Sequence, residues 1–157
     1  MKLGTEKAEF YIRSYSDMIY RIALNNLKNP ADAEDILQDV LTELITKCPT
    51  DKTDEGVKYW LIRITVNKCN GFRRLVWQTR TEGLENHLTL EAPEQELVME
   101  EIFELPKKQR NIIYLYYYEK YTISEIAEIL RINPNTVSSD LRRARKKLKT
   151  ILEEERK

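Results

Sequence analysis

Basic and aromatic side chains are interleaved between residues 58 and 74 in a pattern that suits binding to unstacked nucleic acid. Cations there could contact phosphates, and the rings of Tyr59, Trp60 and Phe72 could stack on exposed bases. Helical spacing also predicts that Trp60 packs in a protein core, so its ring has two open roles: a core side chain, or one that shares an edge with DNA. The polar and basic members of this set are Lys58, Arg63, Asn67, Lys68, Arg73 and Arg74.

A second basic set lies between residues 134 and 152 and suits double-stranded DNA. Short polar side chains occupy its first turns, where they could reach base edges in a major groove. Arginine and lysine follow, where they could hold phosphates. Six basic side chains stand there against a single acid, Asp140. The predicted outward face consists of Asn135, Thr136, Ser138, Ser139, Arg142, Arg143 and Lys146.

Acidic side chains form a third set on a predicted helix over residues 30–47. The pair Asp35 and Asp39 could in principle do acid–base or metal chemistry, but no histidine accompanies it and its helical spacing is typical of a solvated helix face. We interpret the face as an acidic ridge that is available to a basic partner. The acidic ridge consists of Asp32, Asp35, Gln38, Asp39, Thr42 and Glu43.

Other kinds of chemistry find little support in the sequence. His87 is the single histidine, and nothing near it resembles a nucleophile with an orienting partner. Cys48 and Cys69 form no C-x-x-C pair, so neither a disulfide framework nor a zinc site is indicated. No two of the four glycines are close enough to build a phosphate-binding loop. We therefore expect no catalytic residue, no metal and no cofactor, and hence no enzyme.

The charge of the chain is balanced overall but divided by position. Its 157 residues include 26 basic and 26 acidic side chains. The net charge is minus 3 over residues 1–51, plus 5 over 52–80, minus 8 over 81–104 and plus 6 over 105–157. Such asymmetry indicates charged partners at particular places, so the zero sum does not exclude nucleic acid.

The composition and the periodicity predict an all-α protein of two small helical domains joined by a flexible acidic linker. The predicted limits are 1–77 for the first domain, 78–97 for the linker and 98–157 for the second domain. No apolar run reaches the roughly 18–20 residues that span a bilayer, and the N-terminus lacks the apolar core of a signal peptide. We expect no membrane insertion and a cytoplasmic location.

Caps and apolar stripes define the predicted helices. Asn-Pro pairs at Asn29 and Asn133 suit helix starts, and Thr122 with Glu125 forms a capping box. Helices are thus predicted over residues 6–27, 30–47 and 57–76, and a fourth helix is predicted to begin near Leu105. Two further helices joined by a tight turn at 131–133 are predicted to form a helix-turn-helix. Predicted core positions include Phe10, Ile12, Tyr15, Met18, Ile19, Ile22, Ala23 and Leu27; Ile36, Leu37, Val40, Leu41, Leu44 and Ile45; Leu61, Ile64 and Thr65; Ile112, Ile113, Leu115, Tyr116 and Tyr117; Ile126, Ala127, Ile129 and Leu130; and Val137, Leu141, Ala144, Leu148 and Leu152.

Four blocks stand in order along the chain: DAEDILQDV at 32–40, YWLIRITVN at 59–67, LPKKQR at 105–110, and SEIAEIL at 124–130 followed by TVSSDLRRARKKL at 136–148. Together they resemble the sigma factors of the sigma-70 family of bacterial RNA polymerase, specifically the extracytoplasmic-function (group IV) type, which has only domains two and four. The resemblance implies a promoter-specificity subunit, not an enzyme by itself. It would bind the clamp of the largest polymerase subunit, the flap of the second subunit, promoter DNA and an anti-sigma factor.

The resemblance also implies roles for particular residues. Three positions depart from the common pattern of the family: Gly71, which could shorten or bend its helix; Arg131, which is costly if its φ is positive; and Asn135, which could add a base contact. The implied core-polymerase surface is Asp35, Gln38, Asp39 and Glu43. The implied minus-10 contacts are Asp51, Lys52, Thr53, Trp60, Arg63, Asn67 and Lys68. The implied minus-35 contacts are Asn135, Thr136, Ser138, Ser139, Arg142, Arg143 and Lys146.

Two other functions are compatible with parts of the sequence. A free-standing helix-turn-helix transcriptional regulator would bind a palindrome as a dimer. It would leave both the acidic helix 30–47 and the basic aromatic helix 57–76 without a role. A helical protein–protein adaptor would leave the basic face of the last helix unexplained.

Overall fold

The computed structural model describes residues 4–79 and 102–155, with side chains over 4–72 and 102–154. The chain divides into two compact units, residues 1–90 and 91–157. Regular structure in the described residues is helical throughout, which confirms the all-α prediction. Most of the predicted linker lies outside the described residues, as does His87, so the domain limits 1–77 and 98–157 stay predictions.

The first unit consists of three helices, α1 (Thr5–Leu27), α2 (Pro30–Lys47) and α3 (Asp54–Thr79). The predicted start of α2 is confirmed, because the Asp32 N–H donates to Asn29 Oδ1 at 3.0 Å and Pro30 takes the first helical position. Helix α1 packs against both α2 and α3. The fully buried aliphatic side chains between them include Ile19, Ile22, Ile36, Leu44, Leu61 and Ile62.

Two predicted core positions of the first unit are wrong. Phe10 and Ile45 are each 47% exposed, whereas Tyr11, which the predicted stripe omits, is 2% exposed. The Tyr11 hydroxyl donates to Asp54 Oδ1 on α3, so Tyr11 lies on the side of α1 that faces inward. Phe10 is one position away, about 100° around the helix, and therefore faces outward. Ile45 is offset in the same way from the buried Leu44.

Helix α3 is longer than the sequence predicts. It begins at Asp54 instead of residue 57 because Thr53 caps it, with the Gly56 N–H donating to Thr53 Oγ1 at 3.1 Å. It also continues through Gly71 to Thr79, so Gly71 does not shorten it. A Cβ at Gly71 would meet nothing within 4 Å, which shows that no close packing demands glycine there.

The second unit contains α4 (Lys107–Ile113), a π-helix (Tyr114–Tyr118), α5 (Ile123–Leu130) and α6 (Pro134–Glu155). Helix α6 packs against both α4 and α5. The buried apolar side chains between them include Leu105, Ile112, Leu115, Ile126, Ile129, Val137, Leu141 and Ala144.

Two predicted core positions of the second unit are also wrong. The π-helix, in which the Glu119 N–H donates to the carbonyl of Tyr114 at 3.2 Å, widens the turn and leaves Tyr117 46% exposed. Leu152 is 42% exposed. With 22 residues α6 is about 33 Å long, whereas α4 and α5, with 7 and 8 residues, reach only about 12 Å. The last turns of α6 therefore extend beyond them.

Candidate nucleic-acid interfaces and acidic ridge

Local sequence places α5 and α6 as a helix-turn-helix. The Glu125 N–H donates to Thr122 Oγ1 at 3.1 Å and the Thr122 N–H donates to Glu125 Oε1 at 2.9 Å, which confirms the predicted capping box. Arg131 ends α5 in the left-handed region, with φ 57° and ψ 49°. A non-glycine residue with positive φ costs about 1 kcal/mol, so Arg131 carries the cost that was expected if its φ were positive.

Helix α6 presents its polar and basic side chains on the face away from the core. Its start is set by Asn133, whose Oδ1 accepts from the Asn135 N–H at 2.8 Å, and by Pro134. Val137 and Ala144 are fully buried, so the opposite face is outward. Of the predicted minus-35 set, the exposed members are Asn135, Ser138, Arg142, Arg143 and Lys146, and the half-buried members are Thr136 and Ser139.

One flank of α6 carries an ion-pair cluster that the sequence analysis did not identify. Asp140 is only 7% exposed. Its Oδ1 lies 3.5 Å from Arg143 Nη1, and its Oδ2 lies 3.6 Å from Lys108 Nζ on α4. The Asp140–Arg143 spacing of three residues was a readable signal for half of this cluster. Lys108 was not, because it is 32 positions away in the sequence.

On another part of α6, Arg145 is held by the tyrosines of the π-helix. Its Nε donates to the Tyr117 hydroxyl, and its guanidinium lies 5.2 Å from the ring centroid of Tyr116. The hydrogen bond that Arg145 donates to the Tyr117 hydroxyl is the main cause that raises the pKa of Arg145 above its usual range. Arg145 therefore belongs to the contact between α6 and the π-helix. The sequence analysis counts it among the six basic side chains of residues 134–152 but not in the predicted outward face.

In the first unit, α3 brings three of the predicted minus-10 residues onto one face. Trp60, Arg63 and Asn67 fall within about 60° of one another around the helix axis. Trp60 and Arg63 are half-buried and Asn67 is exposed. The half-buried Trp60 fits both roles that the sequence left open, since part of the ring packs in the unit and part reaches the surface.

The loop before α3 is fixed at its end. Asp51, Lys52 and Thr53 are exposed, and Thr53 caps α3. A Cβ added at Gly56 would lie 3.1 Å from Lys52 Cβ, so the loop folds closely over the first turn of α3. The structure thus places all three predicted loop residues at the surface, next to the start of the helix that carries Trp60.

A contact between α1 and α3 anchors the same loop. The Tyr11 hydroxyl donates to Asp54 Oδ1 at 2.6 Å, and Lys7 Nζ lies 3.0 Å from the same oxygen. Hydrogen bonds from Tyr11 and then from Lys7 hold the pKa of the Asp54 carboxyl below its usual value, while burial and the bond to Asp54 raise the pKa of Tyr11. The partners are 43 positions apart, and no local pattern signals their contact.

The acidic ridge lies on the surface of α2, and one of its members is tied to α3. Asp35, Gln38 and Asp39 are exposed. Glu43 is half-buried, and its Oε1 lies 3.0 Å from Lys68 Nζ. This ion pair joins a predicted polymerase contact to a predicted minus-10 contact, so a substitution of either residue changes both surfaces.

The two cysteines of the chain lie inside the first unit. Cys48 and Cys69 are both buried and neither forms a disulfide, and burial raises the pKa of Cys48. Over residues 4–79 and 102–155, no group of three His, Cys, Asp or Glu side chains is arranged to hold a metal ion. Within the same ranges, none of the helices is both long and apolar enough to cross a membrane.

Comparison with known proteins gives two family matches in the order that the sequence blocks predict. Residues 11–78 match the model of sigma-70 region 2, and residues 95–148 match that of sigma-70 region 4. The region 2 match covers the acidic ridge and the basic aromatic helix, which a free-standing helix-turn-helix regulator leaves without a role. Both matches agree with the two units of the fold.

Curated relatives and solved structures agree with these matches. The chain is 30% identical over 154 residues to the RNA polymerase sigma factor SigV of Bacillus subtilis, covering 92% of this chain and 90% of the relative. It is 28% identical over 158 residues to the ECF RNA polymerase sigma factor SigW of the same species, covering 88% and 84%.

A similar fold is seen in the sigma factor RpoE of Bartonella quintana, solved in complex with the anti-sigma factor NepR. The TM-score is 0.78 at 20% identity, with 95% of this chain and 98% of that one covered. The two family matches and the curated relatives establish that the chain belongs to the extracytoplasmic-function group of the sigma-70 family of RNA polymerase sigma factors.

Proposed function

We propose that this sigma factor directs core RNA polymerase to promoters through three separate surfaces. The observation that carries the assignment is the distribution of charge over the fold. An acidic ridge lies on α2, a cationic and aromatic face on α3, and a polar and basic face on α6. Each surface has the chemistry of a different partner: a basic protein surface, unstacked single-stranded DNA and duplex DNA.

The outward face of α6 is proposed to read the minus-35 element in the major groove. Asn135 and Ser138, in the first turns, are exposed and short enough to approach base edges closely. Arg143 has the planar donor pair that matches guanine O6 and N7. Lys146 and Lys147, further along the helix, are placed to neutralise phosphates.

The face of α3 and the loop before it are proposed to hold the melted minus-10 element. Trp60 offers a partly exposed ring for stacking, and Arg63 and Asn67 share its face. The loop before α3 would receive a base turned out of the stack, through its exposed residues Asp51, Lys52 and Thr53. Thr53 has a second role as the cap of α3, so its backbone position is fixed before DNA arrives.

The acidic ridge is proposed as the contact with the clamp of the largest polymerase subunit, and the second unit as the contact with the flap of the second subunit. Asp35, Gln38 and Asp39 carry the clamp contact, and Glu43 contributes through its ion pair with Lys68. The solved relative with the similar fold is a complex with an anti-sigma factor, and we infer that such a protein also binds this chain.

The chain itself is proposed to have no catalytic role, because the polymerase carries out RNA synthesis. Its partners, core polymerase and chromosomal DNA, imply that it acts in the cytoplasm. Residues 1–77 would form the unit for polymerase and minus-10 binding, and residues 98–157 the unit for minus-35 binding.

Single substitutions in reconstituted holoenzyme test the three surfaces separately. Asp39→Lys should weaken binding to core polymerase, Asn67→Ala should slow promoter opening, and Arg143→Ala should weaken binding to a minus-35 duplex. Each variant should behave as wild type in the other two assays. If all three substitutions impair the same single step, the assignment of three surfaces is wrong.

A further inference from the structure

Asp140 is a buried carboxylate in the middle of the helix that reads DNA. Its side chain is 10% exposed, in contrast to the 66% exposed side chain of its neighbour Arg143. A carboxylate near bound DNA repels phosphates, and a buried one is costly unless cations or hydrogen bonds compensate it. Its position on α6 therefore calls for a specific role.

The two oxygens of Asp140 have different partners. Oδ1 lies 3.5 Å from Arg143 Nη1, and Oδ2 lies 3.6 Å from Lys108 Nζ. Oδ2 accepts no hydrogen bond from any group in the part of the chain that the structure describes. Lys108 is on α4, so the carboxylate keeps one cation from the body of the unit even when Arg143 moves.

We propose that Asp140 is a positioning residue that determines specificity, because it holds the guanidinium of Arg143 at the edge of the DNA-facing surface until a matching base displaces it. The proposal rests on the assignment of α6 to the minus-35 element. It does not depend on the other two surfaces.

The geometry favours a weak and exchangeable tether. An ion pair with one exposed partner is weak, so it restricts the side chain of Arg143 without trapping it. A bidentate contact to guanine is stronger and can replace the pair. Lys108 remains on Oδ2 during this exchange, which lowers the cost of releasing Arg143.

The same carboxylate acts against DNA of the wrong sequence. On such DNA no base edge replaces the pair, so Asp140 keeps the guanidinium of Arg143 from binding phosphates instead. Repulsion of wrong partners is a general way to increase specificity at some cost in affinity. Asp140 should therefore lower binding to all DNA and lower it most for DNA without the matching base.

The test compares Asp140→Asn with a matched control, Glu128→Gln, in reconstituted holoenzyme. Glu128 is an exposed acid on α5, so its substitution removes one negative charge from the same unit without touching Arg143. Dissociation constants are measured for a duplex with the promoter's minus-35 element and for one with the base read by Arg143 replaced. Asp140→Asn should reduce the ratio of the two constants about fivefold and tighten binding to the altered duplex, whereas Glu128→Gln should leave the ratio unchanged.

A second variant separates positioning from a structural role. Arg143→Lys keeps the charge but loses the planar donor pair, so it should also reduce the ratio. Adding Asp140→Asn to Arg143→Lys should reduce it no further, because Asp140 acts through Arg143. Equal weakening on both duplexes by Asp140→Asn, or additive effects in the double variant, would overturn the proposal. A wild-type holoenzyme with no minus-35 preference would instead overturn the proposed function on which it rests.

Discussion

Reversing the charge of Asp39 should change the stability of the fold and the affinity for polymerase in opposite directions. Asp39 is exposed on α2, with Asp35 and Glu43 four residues before and after it on the same face. Like charges at this spacing destabilise a helix by about 0.2–0.5 kcal/mol per pair, and opposite charges stabilise it by as much. The substitution Asp39→Lys turns two like-charge pairs into two opposite-charge pairs, so it should raise the free energy of unfolding by about 0.8–2 kcal/mol.

The effect on binding follows from the same charge. If Asp39 faces one basic group of core polymerase, the substitution removes an attraction and adds a repulsion. Two unit charges 4 Å apart in water interact by about 1 kcal/mol, so the loss is about 2 kcal/mol, or roughly thirtyfold in the dissociation constant. Screening by salt should reduce this loss, because the contact is exposed.

The assay is a titration of fluorescently labelled protein with core polymerase, read as anisotropy at low and at high salt. Thermal unfolding of the same samples reports the fold. Glu153→Lys is the control, because it changes the net charge equally at an exposed site of the second unit. An affinity for core that is unaltered by Asp39→Lys, or lowered equally by both substitutions, would refute the role of the acidic ridge.

Three further predictions concern the helix-turn-helix and the contact between α1 and α3. Thr122→Ala removes the acceptor of the capping box and should lower the free energy of unfolding by about 1 kcal/mol, measured by denaturant titration; no change would show that the box contributes nothing. Arg143→Ala should cost about 1–3 kcal/mol on the minus-35 duplex alone, whereas Lys147→Ala should weaken all duplexes alike; equal, sequence-independent losses would remove Arg143 from the reading set. Because folding raises the pKa of Tyr11, the stability from this group is fully present below its ordinary pKa of 10.0 and is lost as the pH rises through its pKa in the folded protein. Because folding lowers the pKa of Asp54, the stability from this carboxyl is present above its ordinary pKa of 3.8 and is lost as the pH falls through its pKa in the folded protein. As the pH rises above 10, the free energy of unfolding of Tyr11→Phe should therefore fall less than that of the wild type. Identical dependence of the two proteins on alkaline pH would contradict the contact.

Features set by neighbouring residues could be predicted from the sequence. The Asn-Pro starts of α2 and α6 and the capping box of α5 depend on residues within three positions of one another, and the structure confirms all of them. The helix-turn-helix follows from these caps together with the apolar spacing of Ile126 and Val137.

Features set by distant residues could not be predicted in this way. The contact of Tyr11 with Asp54 joins positions 43 apart, and no local pattern signals it. The predicted core placement of Phe10 fails because Phe10 lies about 100° around α1 from the buried Tyr11. No local sequence pattern predicts the π-helix at residues 114–118. Its wider turn exposes Tyr117, whose hydroxyl accepts a hydrogen bond from Arg145. The prediction that Leu152 is buried fails for a similar reason. Whether the last turns of α6 are covered depends on the lengths of the helices packed against it, which its own sequence does not specify.

Specific initiation by reconstituted holoenzyme tests the central claim most directly. The purified protein is combined with core polymerase of its own organism and a library of genomic fragments, and the 5′ ends of the transcripts are mapped. We expect start sites that depend on this protein and share one pair of upstream elements, with the more distant element losing its effect in the Arg143→Ala variant. The absence of specific starts, together with protection of a palindrome by the protein alone, would contradict the account.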